Sequence, residues 1–288
     1  MKSLALVLNP EKQRAFTIAH ELIGCVEKMG GKVYLAASYA VLLGCPERGI
    51  SPEEMGEKVE GVVVIGGDGT LLATAREVAP LGLPLLGVNV GQLGFLTEIE
   101  APDLREALHK LMHNSYRIEE RMMLHTAVVR EGRVLEEYIC LNDAVIAKGA
   151  FARVIHLEAW VDGQYLDTYP ADGLIIATPT GSTAYSLSAG GPLVVPDLEL
   201  ILLTPICPHT LYSRPLILPA ASSVRVKLLS SPGEVTLTLD GQHGLSLQPG
   251  DEVLVKRAEV KTRLVKINDR NFFGILREKM KKEDRGIG

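Results

Sequence analysis

A run of four β-branched residues that ends in a glycine-rich turn determines the fold of the first part of this chain. Residues 62–65 read Val-Val-Val-Ile, and residues 66–70 read Gly-Gly-Asp-Gly-Thr. Such a run is typical of a strand buried on both faces of a parallel sheet. After Thr70 the apolar residues recur at helical spacing until Pro80. The order of strand, glycine turn and helix predicts an α/β domain and argues against a hairpin at the Asp-Gly pair.

Asp68 lies inside this turn, where free backbone N–H groups and the positive end of a helix dipole suit a phosphate. The turn lacks the Gly-Lys-Ser/Thr of a Walker A loop, and Leu72 stands where a dinucleotide fingerprint has its third glycine. In one interpretation Asp68 is simply the N-cap of the helix. In the other, its carboxylate lies beside bound phosphates, where it takes a proton from a hydroxyl or holds a metal ion.

Composition indicates a globular protein from a reducing compartment. The chain has 288 residues, 47% of them hydrophobic, and a net charge of -5. Its basic residues are scattered, which argues against nucleic acid or an anionic membrane as a partner. The four cysteines stand far apart without a zinc-binding pattern, which favours reduced thiols and a cytoplasmic location. We expect neither a signal peptide nor a membrane-spanning segment.

Two domains are expected from the order of the predicted elements. In the first, strands alternate with helices, which predicts a Rossmann-like α/β domain. After about residue 117, strands separated by short turns predict a mostly antiparallel β-sandwich, with hairpins at Glu131-Gly132 and Asp162-Gly163. Residues 38–60 lack periodicity and are expected to form a loop with one short helix. The tail from Asn271 has a helical apolar face and must pack against one of the domains.

A second glycine turn and a group of hydroxyls add to the candidate site. The turn, Asn89 to Leu96, follows the next predicted strand, so both glycine turns are expected at one edge of the sheet. Between Thr178 and Ser188 seven side chains carry a hydroxyl, counting Tyr185. Serine and threonine most often cap turns in loops. A group this dense, with an aromatic ring, also offers the donors, acceptors and stacking surface that a nucleotide needs.

These segments resemble those of NAD kinases. The 66–70 loop is similar to the family's signature loop, although diacylglycerol kinases and phosphofructokinases have similar loops. Residues 172–192 match NAD kinases almost letter for letter, and the other two families lack this block. Asn142-Asp143 resembles the family's Asn-Glu pair, and residues 205–211 and 240–242 agree as well. The resemblance therefore covers nearly the whole chain.

The resemblance implies a kinase that moves the terminal phosphate of ATP to the 2'-hydroxyl of the adenosine ribose of NAD, forming NADP. Asp68 would be the catalytic residue, and a divalent cation, expected to be magnesium, would bridge phosphates with few direct protein ligands. The ATP phosphates are expected at Gly66, Gly67, Gly69 and Thr70. The residues expected to bind NAD are Asp68, Gly69, Asn142, Asp143, Arg153, Asp172, Thr180, Thr183, Ala184, Tyr185, Ser186, Leu187, Ser188, Cys207 and Gln242.

The chain departs from the family pattern at two positions. The resemblance implies a basic residue where Val90 stands and another where Pro170 stands. Arg153 is the cation expected to replace the second. The resemblance also implies that the tail returns to the first domain, which gives domains of 1–117 plus 268–288 and of 118–267.

The resemblance further implies a homo-oligomer, either a dimer or a tetramer. Two other functions remain open from the residues alone. One is a sensor that binds NAD or NADP without catalysis. The other is a lipid kinase of the diacylglycerol type, which is disfavoured because the sequence offers no exposed basic amphipathic stretch.

Overall fold

The computed structural model describes residues 1–91, 94–150, 153–210, 212–230 and 233–285, the last six of these by their backbone only. The chain divides into two compact units. Unit 1 consists of residues 1–120 together with the segment that begins at Thr262, and unit 2 consists of residues 121–261. The predicted domain borders, after residues 117 and 267, differ from these limits by a few residues.

The first hundred residues alternate strands and helices, as the hydrophobic pattern predicts. The elements of this part are β1 (Ser3–Leu8), α1 (Gln13–Lys28), β2 (Lys32–Ala36), α2 (Ala37–Leu42), β3 (Gly49–Ile50), α3 (Pro52–Lys58), β4 (Gly61–Gly66), α4 (Asp68–Val78), β5 (Pro84–Asn89), β6 (Ile99–Glu100) and α5 (Leu104–Met112).

Strands dominate the rest of the chain up to residue 266. They are β7 (Arg117–Arg130), β8 (Arg133–Cys140), β9 (Asp143–Lys148), β10 (Ile155–Val161), β11 (Gln164–Ala171), β12 (Gly173–Ala177), β13 (Leu200–Ile206), β14 (Leu216–Pro219), β15 (Val224–Ser230), β16 (Val235–Leu239), β17 (His243–Leu247) and β18 (Glu252–Lys266), with a short helix α6 (Tyr185–Ser188) before β13 and a helix α7 (Phe272–Arg285) after β18.

Unit 1 contains a parallel sheet with the strand order β3-β2-β1-β4-β5. Alternate residues of a strand point to opposite faces. Leu86 and Val88 of β5 belong to the core that contains α1 and α5. Between them, a Cβ on Gly87 would lie 2.7 Å from Leu71 of α4. Helix α4 therefore covers the face opposite to α1 and α5, as in a Rossmann-like domain.

The expectation of a loop with one short helix between residues 38 and 60 is wrong, because two helices and a short strand lie there. Helix α3 begins with a capping box in which Ser51 and Glu54 exchange side-chain and backbone hydrogen bonds. Helix α2 has only six residues. Both helices are too short to display an apolar period, and their stability comes from caps and packing.

Unit 2 is a β-sandwich. One of its sheets has the order β14-β13-β12-β9-β16-β17, and all of its pairs are antiparallel. In the other, β10 pairs with β11 and β15, β15 with β18, and β7 with β8, again antiparallel. Buried residues from both sheets form a single core. The hairpins predicted at Glu131-Gly132 and Asp162-Gly163 are confirmed, and all four turn residues have positive φ.

No helix within the described residues has the length and apolar character needed to cross a membrane.

Candidate functional site

Both glycine turns of unit 1 lie at the carboxyl edge of its parallel sheet. The chain leaves β1 toward β2 on one side, and β4 pairs with β1 on the other, so the connections diverge between β1 and β4. Such a point is where open α/β sheets bind ligands. The N–H of Asn9 donates to the Ile65 carbonyl at 2.9 Å, and the N–H of Val90 donates to the Gly66 carbonyl at 2.8 Å. The ends of β1, β4 and β5 are thus joined.

Asp68 is the first residue of α4, and Gly67 is the N-cap. The Asp68 carboxylate accepts three hydrogen bonds from a loop that we define as residues 94–98. The N–H of Phe95 donates to Oδ2 at 2.7 Å, while those of Leu96 and Thr97 donate to Oδ1 at 3.1 and 3.3 Å. The interpretation of Asp68 as a helix cap is therefore wrong, because its oxygens bind the backbone of another segment.

The glycines around Asp68 serve different purposes. A Cβ on Gly94 would lie 1.8 Å from Oδ1 of Asp68, and a Cβ on Gly66 would lie 2.4 Å from Oγ1 of Thr70. Both glycines therefore make room for side chains of the protein itself. Around Gly67 there is open space, and Gly69 is exposed. At Gly67 there is therefore room for a ligand close to the backbone.

Lys12 is a cation at this edge that sequence reasoning missed. Its Nζ donates to the Val90 carbonyl at 3.1 Å and lies 3.2 Å from the position of a Cβ on Gly91. A positive charge therefore sits beside Val90, where a basic residue is expected and absent. A lysine shortly after Asn9-Pro10 at the end of β1 was the available signal. Gln92 and Leu93 of the second glycine turn lie outside the described residues.

Unit 2 contains a cavity of about 340 Å³ that brings several predicted residues together. It is lined by Asn142, Asp143, Val145, Ala147, Ala184, Tyr185, Thr238, Asp240 and Gly241. The Tyr185 side chain is 45% exposed, so one ring face is open for stacking. Asp143 is buried, and burial, with a smaller effect of the Asp240 charge, raises the pKa of its carboxyl from 3.8 to about 7.

Asp240 shapes this cavity. Its carboxylate accepts hydrogen bonds from the N–H groups of Leu141, Asn142 and Asp143 at 3.2, 2.7 and 3.3 Å. In return, the N–H of Asp240 donates to the Asp143 carbonyl at 3.0 Å. Asp240 thus fixes the backbone that presents Asn142 and Asp143. The sequence gives Asp240 as part of a turn with Gly241, and its contact with a segment about a hundred residues earlier was not predictable.

Most of the hydroxyls in the 178–188 block bind within unit 2. Thr178 donates to the Leu141 carbonyl at 2.6 Å, and Thr183 donates to the Thr180 carbonyl at 3.2 Å. Ser186 is buried, and its hydroxyl lies 2.9 Å from that of Thr204. These hydroxyls hold the block in shape, as in most loops. Beside the Tyr185 ring, Ser188 is exposed, while Leu187 is half-buried.

Arg121 is a second cation that sequence reasoning missed. It is buried, and its Nη1 donates to the Thr180 hydroxyl at 3.3 Å. An arginine near the start of a strand is usually exposed in a soluble protein, so the sequence offered no signal. The role expected for Arg153, as the cation that replaces the one missing at Pro170, stays a prediction. Arg153 is exposed and follows two residues outside the described part of the chain.

The other predicted site residues lie elsewhere on unit 2. Asp172 forms an ion pair with Lys148 at 2.9 Å. Cys207 is exposed with a φ of +44°, and Gln242 is exposed beyond the Asp240 turn. All four cysteines are free thiols. The family-like segment 205–211 ends at Leu211, which lies outside the described residues.

Comparison with known proteins identifies the family. Residues 4–116 match the ATP-NAD kinase N-terminal domain, and residues 141–267 match the ATP-NAD kinase C-terminal domain. A protein named NAD kinase from Moorella thermoacetica is 51% identical over 98% of this chain and 90% of its own length.

Two solved structures have the same fold. Yeast NADH kinase, solved with NADH, aligns with a TM-score of 0.86 and 26% identity over 95% of this chain and 85% of its own. An NAD kinase from Archaeoglobus fulgidus, solved with ATP, aligns with a TM-score of 0.75 and 24% identity over 96% of this chain and 98% of its own. On the matched domains and the identity to full-length relatives, this chain belongs to the NAD kinase family.

Proposed function

We propose that this NAD kinase uses Asp68 as the proton acceptor when it moves the terminal phosphate of ATP to the 2'-hydroxyl of the adenosine ribose of NAD. One observation carries the proposal: three backbone N–H groups fix the Asp68 carboxylate at the open glycine turn of α4. Oδ1 accepts two of these bonds and Oδ2 accepts one, so within the described residues Oδ2 keeps a lone pair for a hydroxyl proton.

The reaction forms one bond between oxygen and phosphorus, breaks another and moves one proton. The ribose oxygen attacks the terminal phosphorus while its proton passes to Oδ2 of Asp68. The bond from that phosphorus to the bridging oxygen breaks, and ADP leaves with the electron pair. Phosphoryl transfer depends mainly on alignment and charge stabilisation. A carboxylate whose orientation is already fixed lowers the reorganisation that this alignment needs.

The donor phosphates are proposed to lie at the N-terminus of α4. There the space around Gly67 is open, and the helix dipole favours negative charge. Lys12 adds a full positive charge at the same edge of the sheet. Its Nζ carries three protons, and the Val90 carbonyl accepts one of them. Lys12 is thus able to bind a phosphate oxygen while it keeps its hydrogen bond to the Val90 carbonyl.

Magnesium fits this arrangement as an ion held mainly by the substrate. Across the described residues, no group of three or more His, Cys, Asp or Glu side chains is placed to hold a metal ion. Magnesium commonly keeps several waters and binds through phosphates and one or two carboxylates. When bound, it would supply neutralisation of the phosphate charge and would be held by phosphate oxygens and water, which leaves Oδ2 of Asp68 available for the proton.

NAD is proposed to bind the cavity of unit 2. Asn142 and Asp143 would bind ribose hydroxyls, and the Tyr185 ring would stack on a base. The other predicted contacts, at Arg153, Asp172, Thr180, Thr183, Ala184, Ser186, Leu187, Ser188, Cys207 and Gln242, remain part of this proposal. The hydroxyl of Ser186 is committed to Thr204, so its contact would come from the backbone. The yeast relative solved with NADH supports a dinucleotide site.

A substitution of Asp68 by asparagine tests the proposal. Asn keeps the shape of the side chain and one acceptor oxygen but lacks the basic carboxylate, so kcat should fall about 100- to 10,000-fold. NADP formation is measured with ATP, NAD and magnesium, and circular dichroism verifies the fold. Asp103→Asn, at an exposed residue without a side-chain cap bond, is the matched control. Near wild-type turnover by Asp68→Asn would remove Asp68 from its role.

The alternative functions predict other outcomes in the same assay. A sensor would bind NAD and form no NADP with any metal or phosphate donor. A lipid kinase would phosphorylate diacylglycerol in vesicles and leave NAD unchanged. The family assignment favours neither of them.

We also propose that the protein is a cytoplasmic homo-oligomer, either a dimer or a tetramer. Four free thiols support a reducing compartment. Val134 and Leu135 on β8 are 56% and 45% exposed, which supports burial of this strand against a second copy. Light scattering on the purified protein measures the mass, and a monomer at micromolar concentration would contradict the proposal.

A further inference from the structure

The C-terminal segment, defined as the described chain from Lys266 onward, contacts the 94–98 loop at two points. The first is Glu98, which is 1% exposed and forms an ion pair with Lys266, the last residue of β18, itself 5% exposed. Oε1 of Glu98 also accepts hydrogen bonds from the N–H groups of Ile267 and Asn268 at 2.8 and 2.7 Å. The ion pair and the two backbone hydrogen bonds restrict the position of this buried carboxylate.

The second contact is at Phe95. Its ring lies 6.4 Å from the ring of Phe272, the first residue of α7. The Lys279 ammonium lies 4.7 Å from the centre of the Phe95 ring, within the range of a cation–π interaction. The backbone N–H of the same Phe95 makes the shortest hydrogen bond to Asp68, at 2.7 Å.

The 94–98 loop therefore lies between two attachments. Asp68 binds the N–H groups of residues 95–97, and the C-terminal segment binds the side chains of Phe95 and Glu98. The N–H of Glu98 also donates to the Gly87 carbonyl of β5 at 2.9 Å, so the end of the loop is fixed to the sheet. A displacement of Glu98 moves the preceding residue, Thr97, whose N–H donates to Oδ1 of Asp68.

We propose that Glu98 and Lys266 are positioning residues for the reaction, which hold the 94–98 loop so that its N–H groups orient the Asp68 carboxylate. This inference rests on the proposed role of Asp68. It gives the C-terminal segment a part in catalysis, although no residue of that segment contacts Asp68 directly in the described structure. A misplacement of about 1 Å in an aligned group can reduce a rate about 100-fold.

The first test compares two lysine substitutions. Lys266→Met removes the charge that binds Glu98, and Lys110→Met removes a half-buried lysine that pairs with the exposed Glu106 on α5. We expect kcat to fall 10- to 100-fold in Lys266→Met, with KM for ATP and NAD changed less than threefold, and no change in Lys110→Met. Lys266→Arg, which keeps the charge, should retain most of the wild-type kcat. An unchanged kcat in folded Lys266→Met would overturn the proposal.

The second test is a double-mutant cycle with Asp68. Glu98→Gln should lower kcat in the wild type and have almost no further effect in Asp68→Asn, because the group that Glu98 positions is gone. Equal losses in both backgrounds would mean that Glu98 acts on stability alone, and would overturn the inference. Phe272→Ala, which removes the ring beside Phe95, provides a second cycle if Glu98→Gln fails to fold.

The two proposals fail in different ways. If Asp68→Asn keeps wild-type kcat, the role of Asp68 is wrong, and the positioning inference that rests on it is overturned as well. If Asp68→Asn loses activity while folded Glu98→Gln, Lys266→Met and Phe272→Ala keep it, Asp68 retains its role and the positioning inference is wrong.

Discussion

The Asp68 carboxylate lies in the glycine turn that begins α4, and it binds the 94–98 loop. Its two oxygens accept three N–H groups from residues 95–97, which fixes the plane of the carboxylate before any substrate arrives. A fixed dipole or charge stabilises a transition state without the cost of turning toward it. For the proton acceptor proposed here, a carboxylate fixed in this way favours the chemical step.

Lys12 provides a prediction for the donor side of the reaction. Lys12→Met should raise KM for ATP about 10- to 100-fold, since a hydrogen bond between charged groups contributes about 1.5–3 kcal/mol. KM for NAD should stay within threefold. Initial rates at varied ATP and NAD measure both constants. Lys28→Met, at an exposed residue at the far end of α1, is the control. An unchanged KM for ATP in Lys12→Met would exclude Lys12 from phosphate binding.

Asp143 provides a prediction about pH and stability. Its pKa is about 7 in the folded protein and about 3.8 to 4 in an unfolded chain, so the folded state binds more protons between these values. The contribution of the protonated Asp143 to the free energy of unfolding is therefore fully present below about pH 4. This contribution is lost as the pH rises through 7. Asp143→Asn removes this loss. We expect its Tm to exceed that of the wild type by several degrees at pH 8 and by less at pH 5.5.

Thermal unfolding at the two pH values, followed by circular dichroism, measures the Asp143 effect. Asp103→Asn, at an exposed aspartate, should show the same small difference from wild type at both pH values. A Tm difference for Asp143→Asn that is larger at pH 5.5 than at pH 8 would have the wrong sign and would contradict burial as the cause.

At the scale of single residues, the sequence indicates which side chains are candidates for function but not which groups they contact. Asp68 stands out because of its glycine turn, yet its partners lie 27 to 29 residues away. Lys12 and Arg121 each look like ordinary surface cations in the sequence. Their positions depend on strand order and packing, which a local pattern does not contain.

At the scale of elements, Gly94 offers a test of how the 94–98 loop meets α4. A Cβ at this position would lie 1.8 Å from Oδ1 of Asp68, so Gly94→Ala must displace either the loop or the carboxylate. We expect kcat to fall about 100-fold. Gly24→Ala in α1 has open space around the new methyl group and should gain up to about 1 kcal/mol of stability with unchanged kcat.

Steady-state kinetics and urea unfolding of both glycine variants separate the two effects. If Gly94→Ala keeps wild-type kcat, the hydrogen bonds between Asp68 and the 94–98 loop have no part in catalysis.

Elements defined by local chemistry were predictable, and elements defined by packing were not. The hairpin turns at Glu131-Gly132 and Asp162-Gly163 follow from residues that tolerate positive φ. The start of helix α3 is encoded by a capping box at Ser51 and Glu54, which is a local signal that apolar periodicity does not contain. Helix α2 has one buried residue, Ala40, so no periodic face exists to be found.

At the scale of the whole molecule, the reaction joins two sets of phosphates, and their repulsion must be offset. Excess chelator should therefore abolish NADP formation, while calorimetry should show NAD affinity changed less than threefold. Readdition of magnesium in excess over chelator should restore turnover. Full turnover in chelator would mean that the fixed cations of the protein, Lys12 among them, suffice.

Unit 1 also has a consequence for biosynthesis, because its parts are encoded at both ends of the chain. A ribosome releases the strands β1 to β5 first, but the lysine that pairs with Glu98 emerges more than 160 residues later. During that interval the nascent segment holds a glutamate without its counter-ion and a Phe95 ring without its cover. Until Lys266 has left the ribosome, the growing chain would therefore lack the contacts proposed to hold the 94–98 loop against Asp68.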